Sequence, residues 1–167
     1  MRDPVFKMCA DRQRGSSAGK KNNRITIRPY RKADEAAVVH LWRDAFSYMP
    51  PWNHPETDIH RKLSVQRKLF LVATVGSEIA GTAMAGYDGH RGWVYYVAVS
   101  SKHRRQGIAT ALMRHVEKQL ARLGCPKLNL QVRSFNRDVV AFYEAIGYAV
   151  EDHISMGKLL KPGADDG

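Results

Sequence analysis

Residues 93–132 constrain this chain more than any other stretch. Residues 93–99 form an apolar strand, a short basic turn follows, and Gly107 opens an amphipathic helix that reaches about Leu123. Ile108, Ala111, Leu112, Val116, Leu120 and Leu123 recur at helical spacing as its buried stripe. Arg114, Glu117, Lys118 and Arg122 face outward. Gly124 is the C-terminal cap and Pro126 blocks continuation. Leu128, Leu130 and Val132 then alternate with Asn129 and Gln131 as a second strand. A strand–helix–strand unit of this length implies parallel pairing of 93–99 with 127–132.

The turn also carries chemistry. A helix start leaves backbone N–H groups without intrahelical partners, and the helix dipole places positive charge there. With Arg104 and Arg105 beside it, the spot should attract a phosphate-bearing anion. Taken alone, the turn could equally be a solvated helix start. It matches neither the Gly-x-x-x-x-Gly-Lys-Ser/Thr phosphate loop nor the Gly-x-Gly-x-x-Gly dinucleotide turn.

Upstream, Ile25-Thr26-Ile27-Arg28-Pro29 reads as a first strand. Asp34 is an N-cap candidate for a helix carrying Val38, Leu41, Trp42 and Ala45, which Pro50-Pro51 ends. A polar loop follows, then a second helix over 58–68 with Ile59, Leu63 and Gln66 inward. Three strands, 69–74, 79–87 and 93–99, make an antiparallel meander, with bulges or close backbone approach expected at Gly81 and Gly86. A last helix spans 137–146 and stops at Gly147, and a final strand or pair of strands spans 148–158. The expected organisation is a flexible basic extension over 1–23, one domain over 24–160 and a polar tail over 161–167.

Composition narrows the functional classes. The 167 residues carry a net charge of +11, and residues 1–24 hold seven Lys/Arg against two Asp. Such a field serves a nucleic-acid partner or an anionic small molecule. No apolar run approaches the roughly 18 residues of a membrane span, and the N-terminus lacks the apolar core of a signal peptide. Cys9 and Cys125 are too few and too far apart in sequence for a disulfide framework, which fits a reducing cytoplasm. His54, His60, His90 and His103 lack metal-ligand spacing, so no metal is expected.

A second motif, Asn136-Arg137-Asp138-Val139-Val140-Ala141-Phe142-Tyr143, runs on to Gly147-Tyr148. Together with Arg104-Arg105-Gln106-Gly107-Ile108-Ala109 it resembles the GCN5-related N-acetyltransferase (GNAT) family. The family's signatures are Arg/Gln-x-x-Gly-x-Gly/Ala and, later, Asn, six residues, then Tyr ahead of Gly-Phe/Tyr. Ile27-Arg28-Pro29 with Asp34 is similar to the family's opening. Trp52-Asn53-His54-Pro55-Glu56 and residues 86–92 resemble a small bacterial subgroup of YpeA type.

The resemblance implies an α/β fold whose mixed, mostly antiparallel sheet is flanked by about four helices, with a parallel strand pair splayed at the cofactor site. It implies acetyl-CoA as co-substrate. Backbone groups of Val97, Ala98 and Val99 would hold the pantetheine arm. Arg104, Arg105, Gln106, Gly107, Ile108, Ala109 and Thr110 would hold the pyrophosphate. Asn136 would contact the cofactor and Tyr143 would point at its sulfur. With a phenol near pKa ~10 and a thiol near ~8.5, full proton transfer from Tyr143 is uphill by roughly 2 kcal/mol. A hydrogen-bond donor role is therefore expected for it.

The acceptor amine must lose a proton, and residues 93–99 contain no carboxylate, unlike some family members. Glu56, Asp58 and Asp88, or a water chain, remain as candidates, each equally readable as a cap or turn residue. Trp52 and Tyr87 are expected at the acceptor pocket or packed on the core. The missing carboxylate favours a low-pKa amine on a small molecule or a protein N-terminus. A catalytically silent acyl-CoA-binding module is the alternative, and a nucleic-acid-binding protein acting through the basic tail is less favoured. A homodimer is compatible with this reading, and no membrane partner is expected.

Overall fold

The computed structural model of the protein describes residues 24–46 and 48–160. The extension expected over 1–23, with Cys9, and the tail expected over 161–167 lie outside the described residues. The elements in chain order are β1 (Ile25–Pro29), α1 (Glu35–Ala45), α2 (Pro55–Ser64), β2 (Phe70–Val75), β3 (Glu78–Tyr87), β4 (Gly92–Val99), α3 (Ile108–Arg122), β5 (Leu128–Asn129) and α4 (Arg137–Ala145). The sheet runs β1-β2-β3-β4-β5, antiparallel except for the parallel β4–β5 pair.

Both faces of the sheet are covered, and the central strands show why. In β2, Leu71 and Ala73 join one core with Ile108, Leu112, Met113, Val116 and Leu120 of α3. Phe70 and Val72 alternate with them and join a second core with Val38, Trp42 and Ile59 of α1 and α2. A strand buried on both sides reads as an unbroken apolar run, which Phe70 to Ala73 of β2 is. Tyr143 of α4 closes the first core.

One close approach and one bulge fix the sheet's shape. A Cβ on Gly81 would lie 2.9 Å from the Ala98 carbonyl oxygen, 3.0 Å from Ile108 and 3.1 Å from Leu112, so only hydrogen fits between β3, β4 and α3. The β2–β3 register shifts beside it, at Ala73/Thr74. Gly86, by contrast, pairs regularly with Trp93 and has ordinary room, so the bulge expected there is absent. The larger irregularity is in β4. Tyr96 sits at φ +51° and the β3–β4 register shifts between Thr82 and Met84. Before this bulge Val94 faces α3; after it Val97 and Val99 do. The one-residue insertion therefore inverts the alternation, and Tyr95 and Tyr96 share the face turned away from α3.

Several expectations need correction. Asp34 precedes α1 but makes no cap bond to it. Its carboxylate instead takes the Arg28 guanidinium fork, at 2.7 and 2.8 Å, and the Arg31 N–H at 2.8 Å. The second helix runs over Pro55–Ser64 rather than 58–68, because Gln66 turns left-handed at φ +50°. Gln66 lies outside the core, and its amide side chain pairs with both backbone groups of Tyr87. Leu123 falls at the end of α3 and is exposed, while Met113, not expected in the buried stripe, is fully buried. Strand β5 covers two residues of the expected 127–132. Residues 148–158 form no strand: Val150, Ile154 and Met156 alternate correctly but stand exposed, since so short a β5 offers no ladder.

Candidate acetyl-transfer site

Strand β4 pairs with β5 only at Gly92–Leu128 and Trp93–Asn129. A Cβ on Gly92 would meet Cys125 Sγ and Leu120 Cδ1, both at 2.9 Å, so the two strands and the end of α3 are pinned together there. Beyond Trp93 the strands part. The opening is a cleft of about 1940 Å³, with Trp93, Tyr95 and Tyr96 of β4 on one side and Val140 and Tyr143 of α4 on the other. Phe46 and Tyr48, from the segment joining α1 to α2, form its outer wall. Tyr48 is held across the gap by Arg133, whose guanidinium lies 4.8 Å from its ring centroid and donates to its carbonyl at 3.3 Å.

Tyr143 is buried to 8% exposure against Phe142 and Tyr148. Among the described residues its hydroxyl has no hydrogen-bond partner, although it borders the cleft. Burial pushes the phenol up to about 12. Tyr148, behind it, donates to Glu117 at 2.8 Å; burial, then this carboxylate, raise its pKa too.

The basic turn stands at the C-terminal end of β4. Arg104, Arg105, Gln106 and Gly107 are exposed, Ile108 is buried, and Ala109 and Thr110 are half-buried. Arg105 and Gly107 both take left-handed backbone, at φ +61° and +77°. The first satisfied amide of α3 is Ala111, bonded to the Gly107 carbonyl at 2.9 Å, so the amides of Ile108, Ala109 and Thr110 precede the helix ladder. Ala98 is buried, Val97 and Val99 are half-buried, and their strand edge beyond Trp93 has no strand beside it. Asn136 is exposed at the start of α4; its carbonyl accepts from Val139 and Val140 at 3.2 Å, and its side chain makes no cap bond. The cleft wall itself reaches Tyr143 but not the 97–110 segment or Asn136.

The five acceptor-side residues scatter. Trp52 is exposed and outside the cleft. Glu56 is paired with Arg43 at 2.7 Å. The Tyr87 hydroxyl donates to the carbonyls of Gly89 and Gly124, at 3.0 and 3.4 Å. Asp88 accepts the Arg91 and His90 amides at 2.7 Å, bonds that lower its pKa and close a turn. Asp58 alone connects to the cleft: its Oδ2 accepts the Tyr96 hydroxyl at 2.6 Å. Tyr96, which sequence reading left as one residue of a regular strand, is the missed element. The only hint was a pair of adjacent tyrosines in an otherwise apolar run.

Among the described residues no group of three His, Cys, Asp or Glu side chains could hold a metal ion, and no helix is long and apolar enough to cross a membrane. Comparison with known proteins is consistent with the geometry. The sequence pattern of the acetyltransferase (GNAT) family matches residues 36–148. Acetyltransferase ECA0875 of Pectobacterium atrosepticum is 48% identical over 136 residues, covering 81% of this chain and 96% of that protein. The ribosomal-protein-S18-alanine N-acetyltransferase of Escherichia coli superposes with a TM-score of 0.63 at 25% identity, over 74% of this chain and 77% of the other. A chain of the NatC complex, solved with Gag peptide and CoA, gives a TM-score of 0.64 at 20% identity over 75% and 84%.

Proposed function

We propose, from the premise that this chain belongs to the acetyltransferase (GNAT) family, that it moves the acetyl group of acetyl-CoA onto a primary amine by direct attack on the thioester. We further propose that α-amines and other low-pKa amines are the preferred acceptors. The observation that carries the reading is the parting of β4 from β5 after Trp93, with the unpartnered Tyr143 hydroxyl at its wall.

Acetyl-CoA, when bound, supplies the activated carbonyl. The free edge of β4 offers amide donors and acceptors at Val97 and Val99, suited to an amide-rich arm and to a developing oxyanion. Ala98 between them turns its backbone groups to Thr82 of β3. The amides of Ile108, Ala109 and Thr110, with the field of Arg104 and Arg105, suit the pyrophosphate. The side chain of Asn136, uncommitted to capping, is free to reach the pantetheine. With its phenol near 12, Tyr143 stays neutral and donates a hydrogen bond to the leaving sulfur. Full transfer to a thiolate of pKa ~8.5 would cost about 5 kcal/mol, so the bond and not the proton is what Tyr143 supplies.

Freeing a lysine amine of its proton at pH 7 costs roughly 4.6 kcal/mol, an α-amine only about 1.4. The likeness to an enzyme named for an alanine of ribosomal protein S18 supports an amine on a polypeptide; a small-molecule amine is the alternative. The test has two arms. Millimolar acetyl-CoA should raise the melting temperature, and a peptide with a free α-amine should trigger thiol release faster than an N-blocked peptide carrying lysine. No thermal shift refutes the cofactor site. A shift with no thiol release from peptides or polyamines identifies a silent acyl-CoA-binding module.

A further inference from the structure

We infer that Tyr96 accepts the acceptor amine's proton and passes its own phenolic proton to Asp58, so that the pair stands in for the carboxylate missing from β4. The inference rests on the acetyl-transfer reading above and assigns the base in that reaction.

Three observations converge. The first is orientation. The β4 bulge turns Tyr96 onto the face shared with Tyr95, where it borders the cleft. Its ring is clamped by stacking on Trp42, with centroids 4.0 Å apart, and by the edge of Phe46 at 5.7 Å. Its carbonyl accepts the Thr82 hydroxyl at 2.8 Å, and Thr82 in turn accepts the Trp42 indole N–H at 2.8 Å. The second is commitment. The Tyr96 hydroxyl donates its only proton to Asp58 Oδ2 at 2.6 Å. What remains of the oxygen is lone pairs, so toward a ligand Tyr96 can only accept. A polarised acceptor on an apolar, aromatic wall selects a donor, and the nucleophile is the donor the reaction brings. The third is shelter. The Asp58 side chain is only 16% exposed and does not itself border the cleft, so a proton reaches it through Tyr96.

The step balances. The amine nitrogen bonds to the acetyl carbon, the carbon–sulfur bond breaks, and the electron pair leaves with sulfur. The ammonium gives its first proton to Tyr96 Oη as the phenolic proton moves to Asp58 Oδ2, which frees the nitrogen to attack. Its second is lost as the amide forms and goes to the departing thiolate, which leaves as the thiol. Tyr96 is neutral before and after; burial, and then the Asp58 contact, raise its pKa and keep it so. The groups facing the pair are Trp42 from α1, Phe46 just after it, Thr82 from β3, and Arg61 from α2, whose Nη1 lies 3.3 Å from Asp58 Oδ1. Tyr96 is thus the catalytic residue and Asp58 acts through it.

Tyr96→Phe keeps the stacking ring and removes one oxygen. Asp58→Asn keeps an acceptor for the phenol and removes the base. With an α-amino peptide at pH ~6, each variant should lose kcat on the order of 10²-fold, the ratio of protonated to neutral amine there, while keeping the wild-type thermal shift with acetyl-CoA. The loss should shrink tenfold per pH unit towards the amine's own pKa near ~8, because the variants must use amine that is already neutral. A merely structural role lowers turnover equally at every pH. Undiminished kcat in either variant, or a pH-independent loss in both, overturns the inference while leaving the acetyl-transfer reading intact. Absence of amine-dependent thiol release in the wild type refutes both.

Discussion

Thr82→Val is the most informative perturbation of the scaffold behind the site. Thr82 is fully buried, as is Trp42. Its Oγ1 accepts the indole N–H of Trp42 and donates to the Tyr96 carbonyl, both at 2.8 Å. Valine has nearly the same shape but neither function. The substitution strands the indole N–H in the core, which costs about 1–3 kcal/mol. It also removes one bond to the Tyr96 carbonyl, about 1 kcal/mol more. The expected loss is therefore about 2–4 kcal/mol. With a urea m-value of about 2 kcal/mol/M, the unfolding midpoint should fall by about 1–2 M at unchanged slope. Thr82→Ser keeps the hydroxyl and drops one methyl, so it should cost only about 1 kcal/mol. Trp42→Phe combined with Thr82→Val should be markedly less than additive, because the first change already removes the stranded donor. If Thr82→Val unfolds within ~0.5 kcal/mol of wild type, or if the serine variant is the weaker of the two, the chain from α1 through β3 to the bulge does not hold Tyr96.

Three further outcomes are expected. Tyr143→Phe should lower kcat about tenfold or more while leaving acetyl-CoA affinity near wild type, and wild-type kcat should show no alkaline loss from Tyr143 up to about pH 10, since burial holds the phenol near 12. Gly107→Ala meets no atom within 4 Å but must hold φ +77°, so it should cost about 1–2 kcal/mol from backbone strain and weaken acetyl-CoA binding in a titration. Burial works to raise the Asp34 pKa, yet the Arg28 fork, the Arg31 amide and their charges lower it overall. Its stabilisation is thus present above the ordinary carboxylate range and lost as pH falls through the depressed folded value. Asp34→Asn should cost about 1.5–3 kcal/mol at pH 7 and flatten the acid limb of a stability–pH curve.

What could be read from the chain depended on whether a signal was local. The α3 stripe, its Gly124 stop and the parallel return at Leu128 follow from spacing and cap chemistry within a few residues. So does the position of the basic turn. The pairing of Asp34 with Arg28 rather than with its own helix was a contest between two partners, and the guanidinium fork won. The β4 bulge left no mark on composition, because an inserted residue in an apolar strand looks like one more strand residue. Asp58 was visible as a carboxylate, but its tie to Tyr96 spans 38 positions and required the fold. Over 148–158 the alternation was genuine, yet a strand needs a neighbour, and β5 ends at Asn129.

The bulge also sets what kinds of change this strand can absorb. Tyr95 lies on the side away from α3 and borders the cleft, so exchanging it for another large side chain alters the lining without touching the α3 core, whereas Tyr96 is committed to Trp42, Phe46 and Asp58. Changing the number of residues is another matter. Deleting the inserted residue, Tyr96, would restore regular alternation and leave Val94, Val97 and Val99 toward α3, so the core would keep its residues while the ring stacked on Trp42 and the tie to Asp58 were lost. Descendants of such a protein can therefore explore acceptors by altering the letter at Tyr95, whereas a change of length at the bulge would be met first as a loss of activity in a chain that still folds.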